Sequence, residues 1–215
     1  MEPTQPALPA PTTRHTGCLV VLISGTGSNL AALIAAQQDQ AYPARVVGVV
    51  SDRADAGGLG IAREAGIPTA VVAPADFPDR DAWNRGMADA VAVFGPDLVV
   101  SAGFMRILGA PVLERWPNRV VNTHPALLPS FPGAHAVRDA LAYGAKVTGS
   151  TLHVVDAGTD TGPVIAQVAV PVEQGEDEAT LHERIKVAER VMLVEWVGRI
   201  AAGGLTVEGR TVTVG

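Results

Sequence analysis

From residue 19 onward, short β-branched apolar runs alternate with longer segments of helical length. The runs 19–23 (LVVLI), 45–50 (RVVGVV), 69–72 (TAVV), 98–102 (LVVSA) and 119–122 (RVVN) are predicted strands. They are apolar at successive rather than alternate positions, which suits a parallel sheet covered on both faces. Between them the pattern predicts helices over 29–38, 55–65 and 81–94, and a short one over 110–115. Repetition of strand, helix and strand at this spacing predicts an α/β fold, a Rossmann-like, doubly wound sheet.

Past Gly133 the texture changes. A short helix over 135–141 precedes two stretches of strand character, 147–155 and 163–170, with no helix between them. Two strands joined only by the polar loop 156–162 must run antiparallel, so the mostly parallel sheet should carry an antiparallel extension. A long helix over 178–201 follows, then one short strand-like end over 205–214. No internal repeat or interdomain linker interrupts residues 17–215, which are read as one catalytic domain. The first sixteen residues hold Pro3, Pro6, Pro9 and Pro11 and no apolar core of a signal peptide. They are read as a disordered tail, 1–16.

Composition narrows the classes of function. In 215 residues, 47% are hydrophobic, which is enough for a substantial core. Sixteen Lys and Arg against 22 Asp and Glu give a net charge of −6, without basic clusters, so binding nucleic acid by counterion release is not expected. No apolar run approaches the roughly 20 residues that span a bilayer, so no membrane partner is expected. Cys18, the single cysteine, forbids an internal disulfide and a cysteine-ligated metal cluster, in keeping with a cytoplasmic location.

In an open α/β sheet, ligands settle beyond the carboxyl ends of the strands, and four loops fall there. The first, Ser24-Gly25-Thr26-Gly27-Ser28-Asn29, offers free N–H groups at a helix start. It lacks the third glycine of a dinucleotide fingerprint and the Gly-Lys-Ser/Thr of a P-loop, so a single phosphate suits it better. The alternative is a tight turn capped by Ser28 or Asn29. In the second loop Gly103 leaves space, and Met105, Ile107 and Leu108 form either the wall of an apolar slot or ordinary core. The third, VVNTHPALLPSFPG, places Asn122 and His124 two residues apart at a strand end, on one side, with Pro125 stiffening the exit. An amide and an imidazole aimed at one point are what a developing oxyanion requires; a capping Asn and a satisfied structural His are the alternative. The fourth, Asp156-Ala157-Gly158-Thr159-Asp160, is either a plain turn or the source of a carboxylate for His124. His153 is either a polar contributor or core.

Together, LISGTGSNL, SDRADAGGL, SAGFMRIL, NTHPALLPSFPG and DAGTDTGPVI, in this order and spacing, resemble the folate-dependent phosphoribosylglycinamide formyltransferases. The resemblance spans roughly residues 19–212 and implies the formyltransferase fold. It implies transfer of the formyl group of 10-formyltetrahydrofolate to the amine of glycinamide ribonucleotide, a step of purine synthesis that needs no metal. It further implies a catalytic trio of Asn122, His124 and Asp160. The nucleotide would lie on Gly27, Ser28 and Asn29, with Lys186 and Glu189 on the long helix. The folate would lie on Arg80, Met105, Arg106, Ile107, Leu108, Asn122 and the loop Asp156, Ala157, Gly158, Thr159 and Asp160. Thr26 departs from the Asn frequent at its position, although its backbone N–H remains. Two rival formyl chemistries, a formyltetrahydrofolate hydrolase and a methionyl-tRNA formyltransferase, would add an N-terminal regulatory domain or a C-terminal RNA-binding barrel; neither is expected here. A catalytically silent nucleotide-binding module would need the phosphate loop but not the trio. An apolar patch on the sheet edge or early helices leaves room for a homodimer.

Overall fold

The computed structural model describes residues 17–215. The tail assigned to residues 1–16 lies outside the described residues. A seven-stranded sheet has the order β3-β2-β1-β4-β5-β6-β7. Its first five members are β3 (Thr69–Val71), β2 (Ala44–Ser51), β1 (Gly17–Ile23), β4 (Leu98–Ser101) and β5 (Val120–His124), and they pair in parallel. The last two, β6 (Val147–Val154) and β7 (Val164–Pro171), join antiparallel. The chain winds outward from β1 in both directions, so the switch point lies between β1 and β4, where α/β sheets open a crevice.

Successive residues of β1 face opposite layers, and both layers are apolar. Leu19, Val21 and Ile23 pack with Leu30 and Leu33 of α1 (Ser28–Ala36), Leu59 of α2 (Gly57–Glu64), and Leu193 and Val197 of the long C-terminal helix. Val20 and Leu22 pack with Trp83, Met87 and Val91 of α3 (Arg80–Ala92) and Val112 of α4 (Ala110–Arg115). The helices α5 (Ala136–Tyr143) and α6 (Glu178–Gly203) complete the set. Side-chain caps start two of them: Asp79 accepts from the Ala82 N–H at 2.7 Å, and Asp177 from the Thr180 N–H at 2.8 Å.

Two elements differ from the sequence expectation. The helix expected from residue 55 begins at Gly57, because the Asp55 carboxylate is held by the Arg53 guanidinium at 3.0 and 2.8 Å and stays in the loop. The single strand-like end is a hairpin, β8 (Leu205–Glu208) and β9 (Thr211–Val214), which forms its own two-stranded sheet. Its turn is Gly209-Arg210, with Gly209 at φ 61°, a left-handed conformation that glycine adopts freely.

Candidate active site

The carboxyl ends of β1, β4 and β5 bring the first three loops together, and the β6–β7 loop folds over them. Glycine is required in the first. Gly27 has φ 81°, and a Cβ there would lie 2.6 Å from the Cα of Gly58, so this loop and α2 touch backbone to backbone. The second loop is tied to the first, since the Met105 N–H donates to Ser24 Oγ at 2.9 Å and the Ser24 N–H to the Gly103 carbonyl at 3.2 Å. Arg106 reaches across to Asp52 at the end of β2, Nε to Oδ2 at 2.9 Å.

His124 is buried, and both ring nitrogens have defined neighbours. Nε2 lies 2.8 Å from the Phe131 carbonyl oxygen. A carbonyl can only accept, so Nε2 carries a proton and donates it there. Nδ1 lies 3.3 Å from Asp160 Oδ2. Asp160, at a left-handed φ of 54°, is steadied by the Gly133 N–H, which donates to Oδ2 at 2.8 Å.

His153 is almost wholly enclosed and resolves the tautomer of its neighbour's contact. Its Nδ1 donates to the Val154 carbonyl at 3.0 Å, which leaves Nε2 as an acceptor. The Asn122 amide donates one N–H to that Nε2 at 3.2 Å, and its second N–H is left for the crevice. Burial holds the His153 pKa below its ordinary value; the Val154 contact and the Asp160 charge oppose this without reversing it. His153 is thus a neutral acceptor that orients Asn122.

Beneath these groups lies a second polar cluster. Glu189 of α6 is buried; its Oε1 accepts from Asn29 Nδ2 at 2.7 Å, and its Oε2 lies 2.7 Å from Ser150 Oγ. Asn29 Oδ1 is buried without a hydrogen-bond partner. Lys186, one turn before Glu189, has its ammonium 2.7 Å from Glu183 Oε1. Thr151 Oγ1 donates to the Ala126 carbonyl at 2.6 Å and accepts from the Leu128 N–H at 3.0 Å, which fixes the chain just after His124.

The structure therefore brings Asn122, His124 and Asp160 together, and Asn29 with Glu189. It also joins Arg80 to the second loop, through its guanidinium and the Ile107 carbonyl, while Arg80 Nε donates to Asn84 Oδ1 on the same helix at 3.1 Å. Met105 and Ile107 are exposed there, whereas Leu108 turns into the core beside Trp83 and Val112. In the fourth loop Asp156 Oδ1 accepts from the Gly158 N–H at 3.1 Å and the Thr161 hydroxyl at 2.7 Å, while Ala157, Gly158 and Thr159 are exposed. Sequence reasoning missed Asp52, Ser150, Thr151 and the Phe131 carbonyl. The polar residues inside the β6 run TGSTLH were the available signal for two of them. Among the described residues, no group of three or more His, Cys, Asp or Glu side chains is placed to hold a metal ion, and no helix is long and apolar enough to cross a membrane.

The sequence profile of the formyl transferase family matches residues 18–197. The chain belongs to the formyl transferase family. Within it, the chain is 59% identical to phosphoribosylglycinamide formyltransferase of Mycobacterium tuberculosis over 197 residues, 92% of this chain and 91% of that protein. It is 40% identical to the enzyme of the same name from Escherichia coli K12, over 83% of this chain and 85% of that protein. Among solved structures of formyl transferases, glycinamide ribonucleotide transformylase 1 from Symbiobacterium toebii superposes with a TM-score of 0.90 at 44% identity, over 93% of this chain and 94% of that one. The seven-stranded sheet, parallel with an antiparallel end, is the fold of that family.

Proposed function

We propose that the chain is a phosphoribosylglycinamide formyltransferase, which moves a formyl group from 10-formyltetrahydrofolate to the amine of glycinamide ribonucleotide. The observation that carries this reading is the convergence of a free Asn122 N–H and His124 Nδ1 beside the Asp160 carboxylate, in a chain of this family. The second loop suits a flat heteroaromatic folate, with exposed apolar Met105 and Ile107, Arg106 between them, and Arg80 of α3 against the Ile107 carbonyl. The Asn29–Glu189 pair suits ribose hydroxyls, and the N–H groups of Gly27, Ser28 and Asn29 suit the phosphate.

The folate donor supplies an electrophilic formyl carbon. When the nucleotide's amine adds to it, a C–N bond forms and charge moves to the formyl oxygen. The second N–H of Asn122 then donates to that oxygen, and the Nδ1–H of protonated His124 is shared between it and Asp160 Oδ2. Asp160 stabilises the imidazolium and, through a water, takes the proton from the amine and returns it to the folate nitrogen as the old C–N bond breaks. Neighbouring Phe131 keeps the ring from turning by accepting from Nε2. The test is turnover of purified protein with glycinamide ribonucleotide and a 10-formyl folate, followed by absorbance. Turnover that requires the nucleotide and collapses in His124→Ala supports the reading. Loss of formyl groups without nucleotide overturns it in favour of hydrolysis, and binding without turnover leaves the silent module.

A further inference from the structure

The C-terminal hairpin lies beyond the segment matched by the family profile, which stops at residue 197. Its base is anchored, because Leu205 and Val214 pack against the core layer that holds Leu193 and Val197. Its tip does something separate. Arg210, the second residue of the two-residue turn, sends Nη1 to the Thr161 carbonyl at 3.0 Å and Nη2 to the Gly162 carbonyl at 3.3 Å. These are the carbonyls of the two residues that follow Asp160.

That loop needs an external tie. It leaves β6 at Val154 and re-enters β7 at Val164, so only its ends belong to the sheet. Gly162 is pressed against the strand, since a Cβ there would lie 1.7 Å from the Val154 carbonyl oxygen. Inside the loop, the Asp156 carboxylate holds Gly158 and Thr161. Asp160 sits between these supports in a left-handed conformation that a non-glycine residue adopts only when its surroundings impose it. A planar guanidinium that takes two successive carbonyls fixes the direction of the chain there as well as its position.

We propose that Arg210 is a positioning residue, which holds the Asp160 loop in register so that the carboxylate meets His124 Nδ1. The proposal rests on the reading of Asp160 as part of the active site. Arg210 is exposed, so when it is removed water takes over the two carbonyls and global stability changes little. What is lost is the order of the loop, hence the alignment of Asp160 in the transition state. The effect falls on kcat and spares the nucleotide KM, because the first loop and α6 are untouched; the folate KM moves with kcat to the extent that the folate rests on the loop Asp156 to Asp160.

The experiment compares Arg210→Ala, Arg210→Lys and Asp160→Asn with the parent in the full-length chain. It measures kcat, KM for each substrate and the thermal midpoint. Arg210→Ala should lower kcat about tenfold, with the nucleotide KM within about twofold of the parent, since misplacement of about an ångström has effects of that order or larger. Arg210→Lys, with a single point donor, should recover part of the loss while folding like the parent. An unchanged kcat in Arg210→Ala beside an impaired Asp160→Asn overturns the clamp alone. A parental kcat in Asp160→Asn overturns the reading beneath it. A loss in Arg210→Ala that tracks a lowered thermal midpoint, or one that raises both KM values, makes the hairpin a structural element only. If Arg210→Ala does not fold, a folded Arg210→Lys with parental kcat likewise overturns the proposal.

Discussion

Replacing Asn122 by Asp changes no volume and reverses the chemistry of the group, which makes it a sharp perturbation of the active site. In the parent, one amide N–H is accepted by His153 Nε2 at 3.2 Å and the other faces the crevice. An aspartate has neither N–H. Loss of an oxyanion donor alone lowers kcat by about 10²–10³, and Asn122→Ala measures that loss. The aspartate adds a second effect, since its carboxylate and Asp160 Oδ1 then flank His153 Nε2, the latter at 3.7 Å. Two such charges no more than about 7 Å apart repel by roughly 2 kcal/mol at an effective dielectric of about 20. The same new charge opposes the growing charge on the formyl oxygen. Asn122→Asp should therefore be slower than Asn122→Ala, at about 10³-fold or more below the parent.

The pH dependence sharpens this test. Burial keeps His153 neutral in the parent, but a carboxylate at position 122 favours its protonation, and the resulting imidazolium sits between two anions. As pH falls, that charge offsets the repulsion, so the gap between the Asp and Ala variants should narrow. The assay is nucleotide-dependent formyl transfer, at saturating concentrations of both substrates, from pH 8.5 down to about pH 6, a span that brackets the ordinary histidine range. An Asn122→Asp enzyme as fast as Asn122→Ala at high pH would refute the added repulsion, and either variant within threefold of the parent would refute the donor role of Asn122.

Three other outcomes follow from the same geometry. His153 and His182 both have pKa values held below their ordinary 6.5, largely by burial, so the unfolded chain binds more protons than the folded one at low pH. Stability should be full above that value and fall as pH drops through it, with a slope of up to about 1.4 kcal/mol per pH unit for each such proton; urea midpoints should fall less steeply in His153→Gln than in the parent. Glu189→Gln keeps shape but turns two charge-assisted contacts into neutral ones, so the KM for the nucleotide should rise about tenfold while the KM for the folate holds; steady-state kinetics with each substrate varied in turn checks this. Gly27→Ala forces a side chain into a backbone at φ 81° and against Gly58, and should destabilise by about 1–3 kcal/mol or more in urea unfolding.

How far the sequence reaches depends on whether a signal is local. The parallel strands are legible because each is covered on both faces, and a doubly covered strand needs apolar residues at consecutive positions. Asn122 and His124 are legible for the converse reason: a polar pair has no place at the end of such a strand unless something lies beyond it. Asp160 is different. Nothing in DAGTDTG separates a turn aspartate from a catalytic one, and its assignment came from resemblance to a family. Of the two left-handed, non-glycine positions that shape the site, Phe131 carries no residue type that announces it, and Asp160 carries one that is also common in plain turns. The hairpin was hidden by a different cause. LTVEGRTVTV alternates well enough to be one strand, and only Gly209 marks the reversal.

The groups that tune the active site are the least legible, since each acts through contacts between segments distant in the chain. His153 orients Asn122 from 31 residues away, Glu189 holds Asn29 across 160, and Arg106 finds Asp52 across 54. A sheet that winds outward from β1 in both directions collects its strand ends at one crevice, whatever their order in the chain. That topology explains why the candidate groups can be picked out one loop at a time while their partners cannot. A strand end fixes where a side chain starts, but the proton on His124 Nε2 is decided by the Phe131 carbonyl further along the same loop, and the free N–H of Asn122 by His153 on the neighbouring strand. An oxyanion donor counts only when it is already aimed before charge appears. The selective constraint on a residue such as His153, which does no chemistry itself, is therefore on its acceptor capacity. This is why glutamine, with a carbonyl oxygen to offer, should replace it in kcat better than phenylalanine of nearer shape.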